Sequence, residues 1–196
     1  MKPPVVPRAE VRYFGPGEHC SDPRPGDLVL VRSPGWPAAV IRFGERLRCR
    51  GRDRSFARVN HAATVLGRGI VQEMAGGGGQ LTALASWRQQ SYAVVHVTTA
   101  TDEQRRAAVA AARWYVNVPY GWPSIVSDAV YVLSGLPVAL AVGQSVVCSA
   151  DASSAQRCLG LIPDKPDVAV LPSDLARWYR VFLPDPRLTR GAARGR

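Results

Sequence analysis

Val59-Asn60-His61-Ala62-Ala63-Thr64-Val65-Leu66, turning at Gly67-Arg68-Gly69 and returning as Ile70-Val71-Gln72-Glu73-Met74, reads as a β-hairpin with a histidine on one strand and an acid on the other. A three-residue loop at Gly67 to Gly69 pairs Leu66 with Ile70. That sets Glu73 opposite Ala63 and diagonal to His61, with all three side chains on one face. A two-residue loop instead shifts the register by one and turns Glu73 to the other face. The hairpin therefore decides whether a histidine and an acid meet.

Working outward, Pro25-Gly26-Asp27 is turn chemistry and Leu28 to Val31 follows it as a buried strand. Downstream, Gly76 to Gly79 closes the hairpin. It lacks the Gly-Lys-Ser/Thr of a phosphate loop, which makes it a turn rather than a nucleotide cradle. Leu81 to Trp87 reads as a short helix and Tyr92 to Val97 as a third strand. Thr101 and Gln104 form a capping box for a helix running to about Tyr115. The apolar run Ile125 to Val147 contains Asp128, Gly135, Pro137 and Gln144, so it is expected to be two buried elements and not a membrane span. Ser149 to Leu159 is helix-compatible, Ser173 or Asp174 caps a last short turn, and Trp178 to Leu183 reads as a closing strand. Strands and helices are mixed without regular alternation, which points to α+β with an antiparallel sheet. The expected organisation is an irregular arm over 1–24, one folded domain over 25–183 and a basic flexible tail over 184–196.

The chain has 196 residues, 46% of them hydrophobic and 20% charged, ordinary values for one globular domain. Its net charge of +10 is arginine charge, since Lys2 and Lys165 are the only lysines. The arginines are scattered and no aromatics interleave with them, which argues against specific nucleic-acid recognition. Weak contact with an anionic surface through the tail Arg187 to Arg196 is the polyanion role that stays open. Lys2 precedes no uninterrupted apolar stretch, so no signal peptide is recognisable and a cytoplasmic location is the default expectation. Cys20, Cys49, Cys148 and Cys158 show no C-x-x-C spacing, and neither a metal nor another cofactor is expected. Cys148 and Cys158 are too far apart along one helix to bridge. A Cys20 to Cys49 bridge stays open, with four reduced thiols as the starting expectation.

Cys148 stands where the apolar run meets the small-residue helix. There a thiol meets the positive end of the macrodipole and unpaired backbone N–H groups, both of which favour thiolate. An imidazole alongside completes such a nucleophile, and His61 is the candidate, with Glu73 to orient it. The plainer reading of Cys148 is a small buried hydrophobe, and that of His61 a strand histidine satisfied by backbone. Of the other histidines, His96 sits in an alternating apolar strand and His19 in the arm. Asp151 suits a helix N-terminus by its charge, although it opposes thiolate formation if it faces Cys148. A serine hydrolase needs a Gly-x-Ser-x-Gly elbow, and Gly143-Gln144-Ser145-Val146-Val147 lacks the second glycine.

Taken in order, Pro25-Gly26-Asp27-Leu28-Val29-Leu30-Val31, Asn60-His61-Ala62 with Val71-Gln72-Glu73, Val118-Pro119-Tyr120-Gly121-Trp122 and Val147-Cys148-Ser149-Ala150-Asp151 resemble the permuted papain-like enzymes related to NlpC-type cell-wall peptidases, often called YiiX-like. The resemblance spans roughly residues 25 to 175. It implies a circularly permuted papain-like fold in which the His/Glu hairpin packs against the cysteine-bearing helix. It also implies Cys148 as nucleophile, His61 as general base and then acid, Glu73 as its orienting partner, and Tyr120 beside the cysteine to hold substrate or polarise its carbonyl. Backbone N–H groups at the helix start, around Ser149, are the expected oxyanion donors. The chain departs from related sequences in following the cysteine with Ser149-Ala150-Asp151-Ala152 where Ser-Glu or Ser-Gln and a bulky aliphatic residue are common. The implied activity is amide hydrolysis through a thioester acyl-enzyme, on short peptides with D-amino acids such as peptidoglycan stems. A protein without a signal peptide then meets them as cytoplasmic fragments, or reaches the wall with a phage particle, a lysis system or a dedicated secretion route. Two alternatives stay open: a lipid ester or thioester deacylase or acyltransferase with Ile125 to Val147 lining an acyl groove, and a non-catalytic component of a virion or cell envelope.

Overall fold

The computed structural model describes residues 3–34, 49, 51–119 and 148–184. Tyr120, the apolar run 125–147 and the tail beyond 184 lie outside the described residues.

Among the described residues six strands form one sheet: β1 (Ala9–Phe14), β2 (Leu28–Val31), β3 (His61–Gly67), β4 (Ile70–Ala75), β5 (Gly78–Ala83) and β6 (Tyr92–Val97). Their order across the sheet is β1-β6-β2-β3-β4-β5, and every pairing is antiparallel. Among the described residues three α-helices accompany it: α1 (Asp102–Trp114), α2 (Cys148–Cys158) and α3 (Pro172–Trp178). The helix expected from the Thr101/Gln104 capping box is α1, and both bonds of that box are present. Alternation in β2 and β6 sorts their side chains onto two faces. Leu28, Leu30, Ala93 and Val95 join Ala108 and Ala112 of α1, Ala152 and Ala155 of α2 and Leu175 of α3 in one core. Val29, Val31, Ala63, Tyr92 and Val94 join Leu84, Trp87 and Cys20 in a second core on the other face. With both faces covered, all four β2 residues are buried, which accounts for an uninterrupted apolar run in an antiparallel strand.

The β3–β4 hairpin reaches the expected register by a different route. Gly67 pairs with Ile70, so the loop is the two residues Arg68 and Gly69 and not three. Both have positive φ, 53° and 70°, as a type I′ turn requires. Leu66 is left as a bulge residue between the Val65–Val71 and Gly67–Ile70 pairs. The short loop moves the register by one and the bulge moves it back, so Glu73 still lies opposite Ala63.

Three expectations are corrected. The segment 1–24 is not wholly irregular: Ala9–Phe14 is the edge strand β1, paired along its length with β6, and Val5 forms a bridge with Ile162. Leu81 to Trp87 is not one helix; β5 continues to Ala83 and only Leu84–Trp87 turns, as a 3-10 segment. Trp178 to Leu183 is not a strand. Trp178 ends α3, Arg180 takes φ 55°, and N–H groups of Arg180 and Val181 donate back to Arg177 and Ala176, a Schellman stop that leaves 181–184 outside any ladder.

The glycine run is a docking point. Asn117 N donates to Gly79 O and Gly79 N donates to Val118 O, each at 2.8 Å, so the turn after α1 lies along the β5 edge. A Cβ on Gly79 would clash with the Tyr115 carbonyl oxygen, whereas one on Gly77 would meet nothing within 4 Å. Gly79→Ala is therefore expected to cost about 3 kcal/mol, at the upper end for overpacking, because backbone must move. Gly77→Ala should stay within about 0.5 kcal/mol. Urea unfolding midpoints at unchanged m-value check both.

Among the described residues no helix is long and apolar enough to cross a membrane.

Candidate active site

His61 opens β3 opposite Val31, the last residue of β2, and its strand start is pinned by the preceding residue. Asn60 Oδ1 accepts from Ser33 N at 2.9 Å and Asn60 Nδ2 donates to Ser33 O at 3.4 Å. The His61 and Glu73 side chains meet as the hairpin register requires, with His61 Nε2 2.6 Å from Glu73 Oε2. Glu73 Oε1 accepts from Gln80 Nε2 at 3.1 Å and from the Thr82 hydroxyl, both on β5. One oxygen is thereby reserved for His61 and the other for β5, so the carboxylate has a fixed orientation. Trp87 sets its ring edge-on to the imidazole, centroids 5.7 Å apart and planes at 88°, and walls the pair from solvent.

Cys148 is the first residue of α2, 3% exposed, and its thiol interacts electrostatically with the His61 imidazole, short of hydrogen-bond geometry. With Nε2 held by Glu73, Nδ1 is the nitrogen left for the sulfur. The neutral tautomer that suits both partners carries its proton on Nε2, donates it to Glu73 and offers the Nδ1 lone pair to the thiol. Burial by itself lowers the His61 pKa, but Cys148 and Glu73 overcome it and the ring is pushed up to about 10. For Glu73 burial raises the pKa, and the contacts with His61, Thr82 and Gln80 more than offset this and hold it below its ordinary value.

These shifts have opposite consequences for stability. The raised His61 contributes stability that is fully present below the ordinary histidine value of 6.5 and is lost as pH rises through about 10. The depressed Glu73 contributes stability present above the ordinary carboxylate value and lost as pH falls through its lower folded value. The His61 ring resonances are accordingly expected to stay those of an imidazolium from pH 6 to pH 9, read by NMR titration with His61→Ala to assign them. A midpoint near the ordinary 6.5 would contradict the interaction with Cys148 and Glu73.

The structure thus brings together three of the sequence-derived candidates, His61, Glu73 and Cys148. The Ser149 hydroxyl is buried and donates to Val170 O at 2.6 Å, tying the first turn of α2 to the segment before α3. Only its backbone N–H is left for an oxyanion. Tyr120 lies outside the described residues. Cys20 and Cys158 are free thiols like Cys148, so the Cys20 to Cys49 bridge left open by the sequence is not formed. Three contributors have no counterpart in the sequence reading: Gln80 and Thr82, which follow only once β5 is recognised as a strand, and Trp87.

A second histidine–acid pair sharpens the contrast. His96 Nδ1 is 2.7 Å from Asp27 Oδ1, and its Nε2 faces Arg24 Nη1 at 3.2 Å and Arg105 Nη2 at 3.4 Å. Arg105 also donates to Asp27, Pro25 O and Val97 O. Both ring nitrogens are occupied, leaving none to activate a nucleophile; the cluster fastens α1 to the end of the sheet away from His61. His19 is exposed in the N-terminal segment.

No protein-family model matches the chain, and no curated protein matches it.

Proposed function

We propose that the protein is a cysteine hydrolase of amide bonds, a permuted papain-like enzyme of the YiiX-like kind. The observation that carries this reading is one imidazole hydrogen-bonded to a carboxylate and interacting electrostatically with the sulfur of a cysteine at a helix start. In the reaction His61 Nδ1 takes the Cys148 proton, and the thiolate attacks the substrate carbonyl to give a tetrahedral oxyanion. Backbone N–H groups of the first turn of α2 face that charge. His61 then returns the proton to the leaving amine, a thioester forms, and a water deprotonated by the same nitrogen hydrolyses it. Glu73 keeps the ring oriented and balances the imidazolium.

The resemblance that the residues carry favours short peptides of the peptidoglycan-stem type, and a net charge of +10 suits an anionic wall. Incubation with muropeptides and, separately, with acyl thioesters tests the substrate class. Release of amine from muropeptides by the native chain and not by Cys148→Ala supports the reading. Turnover of acyl thioesters alone replaces it with a lipid deacylase. If neither is turned over and Cys148 alkylates at the same rate with and without His61, the fold serves a structural role.

A further inference from the structure

Directly beneath the site, the interface between α2 and the hairpin holds polar groups that the chemistry above does not use. Asp151, three residues beyond Cys148 on α2, is 0% exposed, and neither carboxylate oxygen has a hydrogen-bond partner among the described residues. Gln72, the neighbour of Glu73 on β4, is also 0% exposed and interacts with that carboxyl, short of hydrogen-bond geometry. Its Oε1 is unpartnered and its Nε2 points to Met74 Sδ at 3.8 Å. Thr64, paired across the ladder with Gln72, is buried with its hydroxyl oxygen unpartnered. Buried polar groups are rarely left unmatched, and three together on the seam between nucleophile and base require an explanation.

We propose that Asp151 is a positioning residue whose carboxyl joins the Cys148 helix to the hairpin at Gln72 and Thr64, and thereby holds the Cys148 sulfur against His61. The inference rests on the reading of Cys148 and His61 as a working pair. A count of donors and acceptors supports it: Gln72 Oε1 lacks a partner and its NH₂ has an N–H to spare beyond Met74 Sδ, so an ionised Asp151 can use only the amide nitrogen, whereas a neutral carboxyl can accept from the nitrogen or donate its O–H to Oε1. Its second oxygen is then free to accept from the Thr64 hydroxyl. Burial raises the Asp151 pKa well above the ordinary carboxylate value, against the opposing influence of Gln72 and His61, and so favours the neutral carboxyl. The linkage is short, because Gln72 adjoins Glu73, Thr64 lies three residues from His61, and Asp151 lies three residues from Cys148.

The test is alkylation of the full chain by iodoacetamide at pH 6, followed cysteine by cysteine by mass spectrometry. An unpaired thiol is then about 99.7% protonated, so reactivity reports pairing with His61. Asp151→Leu is expected to lower the Cys148 rate at least about tenfold, toward that of His61→Ala. Asp151→Asn, whose amide can donate to Gln72 Oε1 and accept from Thr64, should stay within about threefold of the native chain. Gln72→Met removes the other half of the contact and should give the same fall, with the double variant no worse than either single, so the test survives if Asp151→Leu does not fold. Cys20, buried in the core on the other sheet face, is the internal control and should stay protected. An unchanged Cys148 rate in Asp151→Leu and Gln72→Met overturns the proposal, as does a joint rise at Cys148 and Cys20, which marks general loosening. If His61→Ala itself leaves Cys148 unchanged, the pairing of thiol and imidazole fails; if only the Asp151 and Gln72 variants do, the positioning role alone fails.

Discussion

Cys148→Ala is expected to remove turnover of every amide, ester or thioester substrate, a loss of at least about 10⁴-fold, because no acyl-enzyme can then form. His61→Ala should cost about 10²–10⁴-fold, the range for a positioned general acid–base, since the imidazole that takes the thiol proton also protonates the leaving amine. The two losses should not add. Once the sulfur is gone the imidazole has nothing to activate, so the double variant should match Cys148→Ala within error. Initial rates on one substrate for the four proteins check the expectation, and multiplicative losses would mean that the two residues act separately. Circular dichroism guards against a trivial result: Cys148 is small and terminal on its helix, and the 13% exposed His61 side chain sits at a strand start, so neither change should unfold the sheet.

The parts of the fold legible in the sequence were those whose signal is local. Leu28 to Val31 after Pro-Gly-Asp and the Thr101/Gln104 box state their structure within a few residues, and both elements begin where the pattern places them. What failed depended on partners far away in the chain. Ala9 to Phe14 alternates as an edge strand does, yet Pro3, Pro4 and Pro7 before it and Gly15-Pro16-Gly17 after it mask the period, and only β6 reveals its pairing. Gln80-Leu81-Thr82 alternates toward Glu73, but without β4 as reference the same letters blend into a helical run. Arg180 illustrates a further limit. A left-handed stop is expected at glycine, and here arginine occupies it, so the apolar letters beyond α3 invite a strand that does not form. In the site, the hairpin geometry was legible because register is arithmetic, even though the loop and bulge split that arithmetic differently. Asp151 was not, since a carboxylate in a first helical turn reads as a surface charge until tertiary packing buries it completely.

Glu73→Gln should be more damaging than Glu73→Ala, and the reason lies in the groups around the carboxylate. Gln80 Nε2 and the Thr82 hydroxyl both donate to Oε1, so a glutamine at 73 is driven to turn its carbonyl oxygen toward β5. Its NH₂ then occupies the place of Oε2, 2.6 Å from His61 Nε2, and can only donate. That moves the ring proton to Nδ1, the nitrogen that must accept from Cys148, and a base holding the wrong tautomer is disabled by as much as about 10⁴-fold in the serine proteases. Alanine merely removes the partner: the ring keeps both tautomers, loses the carboxylate that raised its pKa, and should retain about ten times more activity than the glutamine variant. In both variants the alkaline limb of the hydrolysis profile, set by His61 near pH 10 in the native protein, should move to lower pH. Rates across pH 5 to 11 for the three proteins decide the matter. Equal activity in the two variants would mean that Glu73 acts on His61 through charge alone, with Gln80 and Thr82 playing no part in choosing which nitrogen faces the sulfur.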